Sequence, residues 1–245
     1  FLQVVRGKET LEIELTPVYS KAEQCYKAGM WVRDSTAGIG TLTFYDRDSG
    51  RFGGLGHGIC DFVTAELMPL RSGDILPVTI SGVTKGKRGA PGELRGYFSE
   101  DTAIGDLYAN TESGVYGSLK EDPEGIEVEV GLKQSVCTGD VQIYTTVDNG
   151  PPQYYDACIE AVNFHGDGEG KNFVLRITDE DLLEKTGGIV QGMSGSPVLQ
   201  NGKLIGAVTH VFVNDPTRGY GIFAENMLSI AKETPEIPII SQNAA

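Results

Sequence analysis

The hexapeptide at 192–197 (GMSGSP) contains the residues best suited to covalent chemistry. Acyl transfer needs a nucleophilic oxygen beside backbone N–H groups that hold the negative charge of the tetrahedral intermediate. A glycine two residues before a serine lets the backbone form a concave turn that no Cβ obstructs. The sequence therefore predicts Ser194 as a nucleophile and the N–H groups of Gly192 and Ser194 as an oxyanion hole. A glycine-rich turn in which Ser194 is merely small and polar is the alternative interpretation.

The sequence after the hexapeptide predicts a hairpin. Asn201-Gly202 is a strong two-residue turn signal between PVLQ and KLIGAV. Hexapeptide and hairpin together resemble the G-x-S-G-x-P region of chymotrypsin-like serine proteases. In those enzymes the strand after the hairpin carries a hydroxyl residue near the catalytic carboxylate. The resemblance implies that supporting role for Thr209.

His57 is the predicted general base among the 3 histidines of the chain. It lies in the glycine-rich segment GGLGHGICD, where the flanking glycines favour close approach of a substrate backbone. A buried structural imidazole is the alternative. His165 falls in the polar loop HGDGEGKN and is predicted to lie on the surface. His210 follows Thr209 on a strand, where neighbouring side chains point to opposite faces, so it is predicted to face away from the site.

Composition and charge exclude several classes of function. The chain has 245 residues, 40% of them hydrophobic and 22% charged, as is ordinary for a soluble globular protein. Its formal net charge of −14 argues against nucleic-acid binding, which depends on clustered lysine and arginine. The 4 cysteines lack zinc-ligand spacing and a C-x-x-C pair, and no H-E-x-x-H motif is present. We therefore predict no metal and no cofactor.

The elements that must position these residues are short alternating strands separated by turn residues. The predicted strands are Thr10–Thr16, Gly40–Tyr45, Ile126–Val130, Val141–Val147 and Lys203–Val213. Helices are predicted only at Asp179–Lys185, with Gly187 just past its end, and at Ala224–Thr234. This pattern predicts a mainly β protein. With the serine motif, it favours a chymotrypsin-like double β-barrel with a few short helices.

The sequence around Ser194 also resembles a narrower family, the SpoIVB-type sporulation serine peptidases. The resemblance rests on TGGIVQGMSGSP at 186–197 and GAVTHVFVNDPTRGYGIFAENML at 206–228. Earlier segments agree, namely GMWVRD at 29–34, GIGTLTFY at 38–45 and LGH at 55–57. The resemblance covers residues 29–228.

The resemblance also implies a domain organisation. In this family the peptidase domain follows a membrane anchor and a PDZ domain. Residues 1–27 are therefore expected to be the tail of a preceding PDZ-like domain or an N-terminal hairpin, and residues 28–245 the serine peptidase domain. Because the sequence begins with strand-like residues and no initiator methionine, it is expected to be a fragment of a longer chain that lacks the anchor.

The function implied by the resemblance is limited proteolysis during endospore formation, in the space between the forespore and mother-cell membranes. The implied substrate is a membrane-associated regulator of the protease that processes pro-σK, and self-cleavage is also implied. Gly188, six residues before Ser194, gives a specificity pocket no charged floor, so small or apolar substrate side chains are expected. The rival hypothesis is a PDZ-linked interaction domain that keeps a protease fold without catalysis.

Two carboxylates compete for the role of catalytic acid. The family resemblance implies Asp179, for which N-capping of the following helix is an alternative role. Asp106 lies between His57 and Ser194, which is the chain order of chymotrypsin-like enzymes. We favour Asp179 and keep Asp106 as the alternative acid.

Overall fold

The computed structural model describes residues 1–6, 8–30, 36–165 and 170–234. Part of the family segment at 29–34 and most of the polar loop after His165 lie outside these described residues. The chain divides into two compact units, Phe1–Gly38 and Ile39–Ala245.

The first unit contains two antiparallel hairpins. In one, β1 (Leu2–Arg6) pairs with β2 (Glu9–Ile13). In the other, β3 (Val18–Ser20) pairs with β4 (Cys25–Lys27). The assignment of residues 1–27 to a PDZ-like tail stays a prediction.

The first half of the second unit is an antiparallel sheet of five strands and a separate two-stranded ribbon. The sheet strands are β5 (Leu42–Asp46), β6 (Arg51–Gly54), β7 (Asp74–Ile75), β10 (Gly105–Thr111) and β11 (Gly114–Leu119). Their spatial order is β5-β6-β11-β10-β7. The ribbon pairs β8 (Val78–Thr84) with β9 (Glu93–Phe98).

The second half is a closed barrel of six strands in the order β12-β13-β14-β17-β16-β15. Its strands are β12 (Gly139–Thr145), β13 (Gln153–Val162), β14 (Phe173–Ile177), β15 (Pro197–Gln200), β16 (Lys203–Phe212) and β17 (Asp215–Phe223). The remaining elements are α1 (Glu180–Thr186), α2 (Ala224–Glu233) and a 3-10 turn at Lys133–Ser135. The prediction of a mainly β fold with a barrel and a few short helices is confirmed.

Alternating apolar residues explain why the barrel closes. Phe173, Leu175 and Ile177 occupy every second position of β14 and are 1%, 0% and 2% exposed. Successive side chains of a strand point to opposite faces, so this period places one apolar row inside the barrel. Ile143 and Val208 meet that row from neighbouring parts of the core. The barrel is therefore a packed support for the loops that it carries.

One predicted strand is wrong. The residues of Ile126–Val130 form no strand, and only Val130 makes a bridge, to Leu204 on β16. Because this bridge is parallel, the residues before Val130 run past the start of β16 at Lys203 towards the Asn201-Gly202 turn, where there is no strand to pair with. Alternation alone therefore suggested a strand where the barrel offers no continuous partner edge.

Neither helix in the described part of the chain is long and apolar enough to cross a membrane.

Candidate active site

The serine turn is a tight loop between α1 and β15. The N–H of Met193 donates to the carbonyl of Val190 at 3.1 Å, and the N–H of Ser196 donates to the carbonyl of Met193 at 2.9 Å. The Met193 side chain is fully buried and anchors the loop in the barrel core. Gly195 donates its N–H to the carbonyl of Val208 at 2.8 Å, which ties the turn to β16.

Two backbone donors of this turn stay unengaged. Within the described residues, neither the N–H of Gly192 nor that of Ser194 has a hydrogen-bond acceptor in the protein. Gly192 has a φ of 99°, in the left-handed region that glycine adopts without strain. The two predicted oxyanion-hole donors are therefore available to an external acceptor beside Ser194.

The hydroxyl of Ser194 is held on the barrel. Its Oγ donates to the carbonyl oxygen of Thr209 at 3.0 Å. The hydroxyl proton of Ser194 thus points to the Thr209 carbonyl on β16. A rotation about the Cα–Cβ bond of Ser194 is needed to direct this proton to a base. Thr209 supports the serine through its main chain.

The side chain of Thr209 has another partner. It is buried at 3% exposure, and its hydroxyl donates to the carbonyl oxygen of Gly170 at 2.7 Å. Its hydroxyl contact is therefore with a backbone carbonyl, whereas the resemblance led us to expect a carboxylate.

Thr41 joins the serine turn to the loop of His57. Its N–H donates to the carbonyl of Ser194 at 2.8 Å, and its own carbonyl accepts from the N–H of Leu55 at 3.1 Å. A Cβ on Gly195 would collide with the Thr41 carbonyl and would lie 2.6 Å from the nitrogen of Leu55. Thr41 is not predictable from the sequence as a residue of the site, because its partner in the serine turn is distant in sequence and no local pattern marks the contact.

The loop of His57 is shaped by Leu55 and Gly56, which have positive φ values of 65° and 68°. Nδ1 of His57 lies 2.9 Å from the carbonyl oxygen of Gly58. A carbonyl can only accept, so this contact assigns the proton to Nδ1 and leaves the lone pair on Nε2. That tautomer is the one a general base needs.

His210 does not face away from the site, so this expectation is wrong. The His57 and His210 rings are 4.9 Å apart between centroids. β16 has register shifts against β17 between Val208 and Phe212, and such bulges turn side chains away from simple alternation. The His210 ring therefore lies beside the His57 ring and lines the same side of the site.

An open cleft of about 260 Å³ lies beside the two histidines. The cleft is lined by polar, charged and apolar side chains in addition to the two histidines. Besides His57 and His210, its lining residues are Gly58, Cys60, Ala65, Leu67, Glu112 and Lys171. The described residues contain no cluster of side chains that could hold a metal ion.

The ribbon of β8 and β9 braces the oxyanion segment. Leu94 donates its N–H to the carbonyl of Gln191 at 2.8 Å, and Gln191 donates its N–H to the carbonyl of Gly92 at 2.9 Å. A Cβ on Gly192 would lie 3.0 Å from the Cβ of Leu94, which is 7% exposed. The Gly192 backbone therefore packs directly against this ribbon.

Asp179 caps α1. One carboxylate oxygen accepts from the N–H of Leu182 at 2.9 Å, and the other accepts from the N–H of Asp156 at 3.2 Å. Gly187 ends the helix with a left-handed backbone, as its sequence position suggested. The structure thus records backbone partners for both Asp179 oxygens, and the described hydrogen bonds do not join it to His57 or Ser194.

Asp106 lies at the far end of β10 from the histidine loop. The other end of β10 meets that loop, because the side chain of Asn110 bonds the backbone of Ile59. Thr111 lies five residue steps along β10 from Asp106, which is about 16 Å at 3.3 Å per residue. The structure therefore does not bring Asp106 to His57.

Comparison with known proteins shows one family match. The family model described as SpoIVB peptidase S55 matches residues 24–228. None of the curated protein sequences compared matches the chain significantly.

Among solved structures, the similar chains include several proteases. The active form of the Rv3671c protease from M. tuberculosis is 14% identical, with 65% of this chain and 73% of that chain covered, at a TM-score of 0.41. Its inactive form is 15% identical, with 58% and 72% covered, at a TM-score of 0.40. The HtrA-type protease AlgW with a decapeptide is 16% identical, with 61% and 42% covered, at a TM-score of 0.39. These similarities are too low to transfer any site of those enzymes to this chain.

Proposed function

Because the chain belongs to the SpoIVB peptidase S55 family, whose model matches residues 24–228, we propose that it cuts peptide bonds with Ser194 as nucleophile and His57 as general base. Membership makes the chain a serine peptidase. One observation supports the assignment to these residues: the Ser194 hydroxyl lies beside two unengaged backbone donors, in a turn that Thr41 ties to the His57 loop.

The proposed reaction begins when the Ser194 hydroxyl leaves the Thr209 carbonyl and gives its proton to Nε2 of His57. Oγ attacks the substrate carbonyl, and the N–H groups of Gly192 and Ser194 hold the resulting oxyanion. The imidazolium then gives its proton to the leaving amine, and an acyl-enzyme remains. Water, deprotonated by His57, hydrolyses this ester and regenerates the serine.

Asp179 remains the acid that the family resemblance implies, and its place in a Ser-His-Asp triad is a hypothesis. Its two oxygens would have to exchange a helix cap for an imidazole partner. An Asp179→Asn variant separates the roles, because asparagine caps a helix about as well as aspartate and should leave the free energy of unfolding nearly unchanged. Loss of a triad acid lowers turnover by about 10⁴-fold.

Family membership also supports a substrate class. We propose limited proteolysis of a signalling protein during endospore formation, on the extracytoplasmic side between the two cell membranes. A membrane-associated regulator of the pro-σK processing protease and the peptidase itself are the proposed substrates. Main-chain pairing with Thr209 to Val213 would hold the peptide, although the carbonyl of Val213 already accepts from the N–H of Gly89 at 2.8 Å.

We expect the residues around Gly188 to contribute to substrate selectivity. A Cβ on Gly188 would collide with the carbonyl of Pro216 and would lie 2.8 Å from the nitrogen of Thr217. Glycine brings no charged group to this position, and the expected preference for small or apolar substrate side chains rests on that.

A fluorophosphonate probe tests the proposed chemistry without knowledge of the natural substrate. The native protein should be labelled at Ser194, and Ser194→Ala should abolish labelling. Ser229→Ala, on the exposed side of α2, is the matched control and should be labelled normally. A folded native protein that resists the probe and leaves fluorescein-labelled casein intact would favour the non-catalytic, PDZ-linked interaction domain.

A further inference from the structure

Strand β5 contains a bulge close to the histidine loop. Leu42 pairs with Gly54 and Phe44 pairs with Gly53, so Thr43 is an extra residue that no residue of β6 opposes. A bulge of this kind bends the strand and changes the direction of the side chain that it carries. Because Thr43 is only 6% exposed, its side chain lies in the interior of the protein.

The hydroxyl of Thr43 bonds to the serine turn. Its Oγ1 donates to the carbonyl oxygen of Gly195 at 2.7 Å, across a separation of 152 residues in the sequence. A buried hydroxyl without a partner costs free energy, so this acceptor makes a threonine favourable at a buried strand position. The bond therefore links β5 to the residue that follows the proposed nucleophile.

Gly195 depends on its neighbours for a fixed conformation. Glycine has more accessible backbone conformations than any other residue, and its φ of 89° here lies in the left-handed region. A larger residue does not fit, because a Cβ would lie 2.1 Å from the carbonyl oxygen of Thr41. The peptide groups on either side of Gly195 must therefore be held by hydrogen bonds.

The peptide group before Gly195 is held by main-chain atoms alone. The carbonyl of Ser194 accepts from the N–H of Thr41, and the N–H of Gly195 donates to the carbonyl of Val208, each at 2.8 Å. One bond comes from the residue before β5 and the other from β16. A substitution of the Thr43 side chain removes neither of them.

The peptide group after Gly195 is held by one main-chain bond and one side chain. The N–H of Ser196 donates to the carbonyl of Met193 at 2.9 Å, and the carbonyl of Gly195 accepts from the Thr43 hydroxyl. Because a peptide group is planar and trans, its C=O and N–H point in opposite directions, and a bond at each end fixes its orientation. Removal of the Thr43 hydroxyl frees one end.

The turn also has a bond to the barrel that does not involve Thr43. Ser196 is fully buried, and its Oγ donates to Oγ1 of Thr145 on β12 at 2.9 Å. The buried side chain of Met193 anchors the turn in the barrel core as well. Loss of the Thr43 hydroxyl should therefore change the backbone path at Gly195 while the turn stays attached to the barrel.

We propose that Thr43 is a positioning residue for the reaction of Ser194. Its hydroxyl fixes the peptide group after Gly195 and so keeps Oγ of Ser194 aligned with the unengaged N–H groups of Gly192 and Ser194. This inference rests on the proposed function. Thr43 acts through Gly195 and does not contact the substrate, because its side chain is buried and its hydroxyl is bonded to the protein.

Saturation kinetics of fluorophosphonate labelling test this role. Thr43→Val keeps the shape of the side chain and loses the hydroxyl. We expect its maximal rate constant for labelling of Ser194 to fall about 10- to 100-fold, because small displacements of reacting groups have effects of this size. The probe concentration that gives half of this rate should stay near the native value, since Thr43 does not contact the probe. Thr43→Ser, which restores the donor, should label at nearly the native rate.

Two further variants serve as controls. Thr43→Ala removes the hydroxyl without placing a methyl group against the Gly195 carbonyl, and it should label as slowly as Thr43→Val. Tyr116→Phe removes another buried hydroxyl that donates to a main-chain carbonyl, that of Ser113 at 3.1 Å. It should lower the urea midpoint as Thr43→Val does and still label at the native rate. All variants are compared at a temperature at which circular dichroism shows them folded.

Three results would overturn the inference. Folded Thr43→Val and Thr43→Ala proteins that label at the native rate would limit Thr43 to a structural role. Slow labelling of Thr43→Ser would show that the hydroxyl is not the group responsible. Slowing in Tyr116→Phe equal to that in Thr43→Val would mean that the rate follows stability alone. If the native protein itself were not labelled, the proposed function would fail, whereas the other three results leave that function standing.

Discussion

At the scale of single residues, Gly195 is where the serine turn and the histidine loop approach most closely. Its φ of 89° lies in the left-handed region, and its Cβ position is occupied by the backbone of Thr41 and Leu55. A side chain at Gly195 would push the serine turn away from the loop of His57, and the proposed reaction needs these two loops close together. Gly202, in the β15–β16 hairpin, has a φ of 76° but open space around its Cβ position.

These two glycines form a matched pair for mutation. Gly202→Ala should cost about 1 kcal/mol of unfolding free energy through backbone strain alone and leave probe labelling intact. Gly195→Ala should cost several times more and abolish labelling even in the folded fraction. Urea unfolding and fluorophosphonate labelling at a temperature where both variants are folded measure the two effects. Equal losses in both variants would show that the approach of Thr41 is unimportant.

The chemistry-bearing residues were predictable where their signal is local. Ser194 and the glycines beside it form one short motif, and the caps of α1 at Asp179 and Gly187 predicted that helix to within a residue. Thr41 and Asn110 were not predictable, because each acts on a loop far away in sequence. His210 was misjudged because a bulge is decided by strand pairing, which alternation does not contain.

At the scale of elements, the β8–β9 ribbon does more than connect β7 to β10 in the first half of the second unit. It bonds to the Gln191 backbone on both its N–H and its carbonyl, and Leu94 fills the space beside Gly192. Gly86, at the tip of the ribbon, donates its N–H to the carbonyl of Thr186 at 2.8 Å. An element distant in sequence thus packs directly against the backbone of Gly192, one of the two proposed oxyanion-hole donors.

Truncation of Leu94 tests this role. Leu94→Ala should lower the free energy of unfolding by about 2–5 kcal/mol and slow fluorophosphonate labelling by up to about 100-fold, as when an oxyanion donor is lost. Leu204→Ala, at the equally buried start of β16, is the control for stability. At temperatures where both are folded, the Leu204 variant should label normally. If labelling were slowed equally in both variants, the ribbon would contribute only to the overall stability of the fold.

At the scale of the whole molecule, one carboxylate and two arginines form ion pairs that link three strands of the barrel on its outer face. Glu160 on β13 accepts from Arg176 on β14 and from Arg218 on β17, at 2.6 Å in each case. The Arg176 hydrogen bond is the main cause of a lowered pKa of Glu160, with Arg218 contributing. A carboxyl whose pKa is lower in the folded state stabilises the fold above its unfolded pKa, and this contribution is lost as the pH falls through the folded pKa.

Glu160→Gln should therefore lower the thermal midpoint near neutral pH, and this deficit should disappear as the pH falls from the ordinary glutamate pKa through the lower pKa of Glu160 in the folded state, where the native carboxyl becomes protonated as well. The effect should be small, because the three side chains are partly exposed and their pairing is screened by solvent. Thermal melts of the native protein and the variant from neutral pH downwards give the difference curve. Glu127→Gln, in the exposed segment before the barrel, is the control and should give a flat curve. A deficit that persisted at low pH would mean that Glu160 contributes by packing, because the charge would no longer be present to hold β13 against β14 and β17.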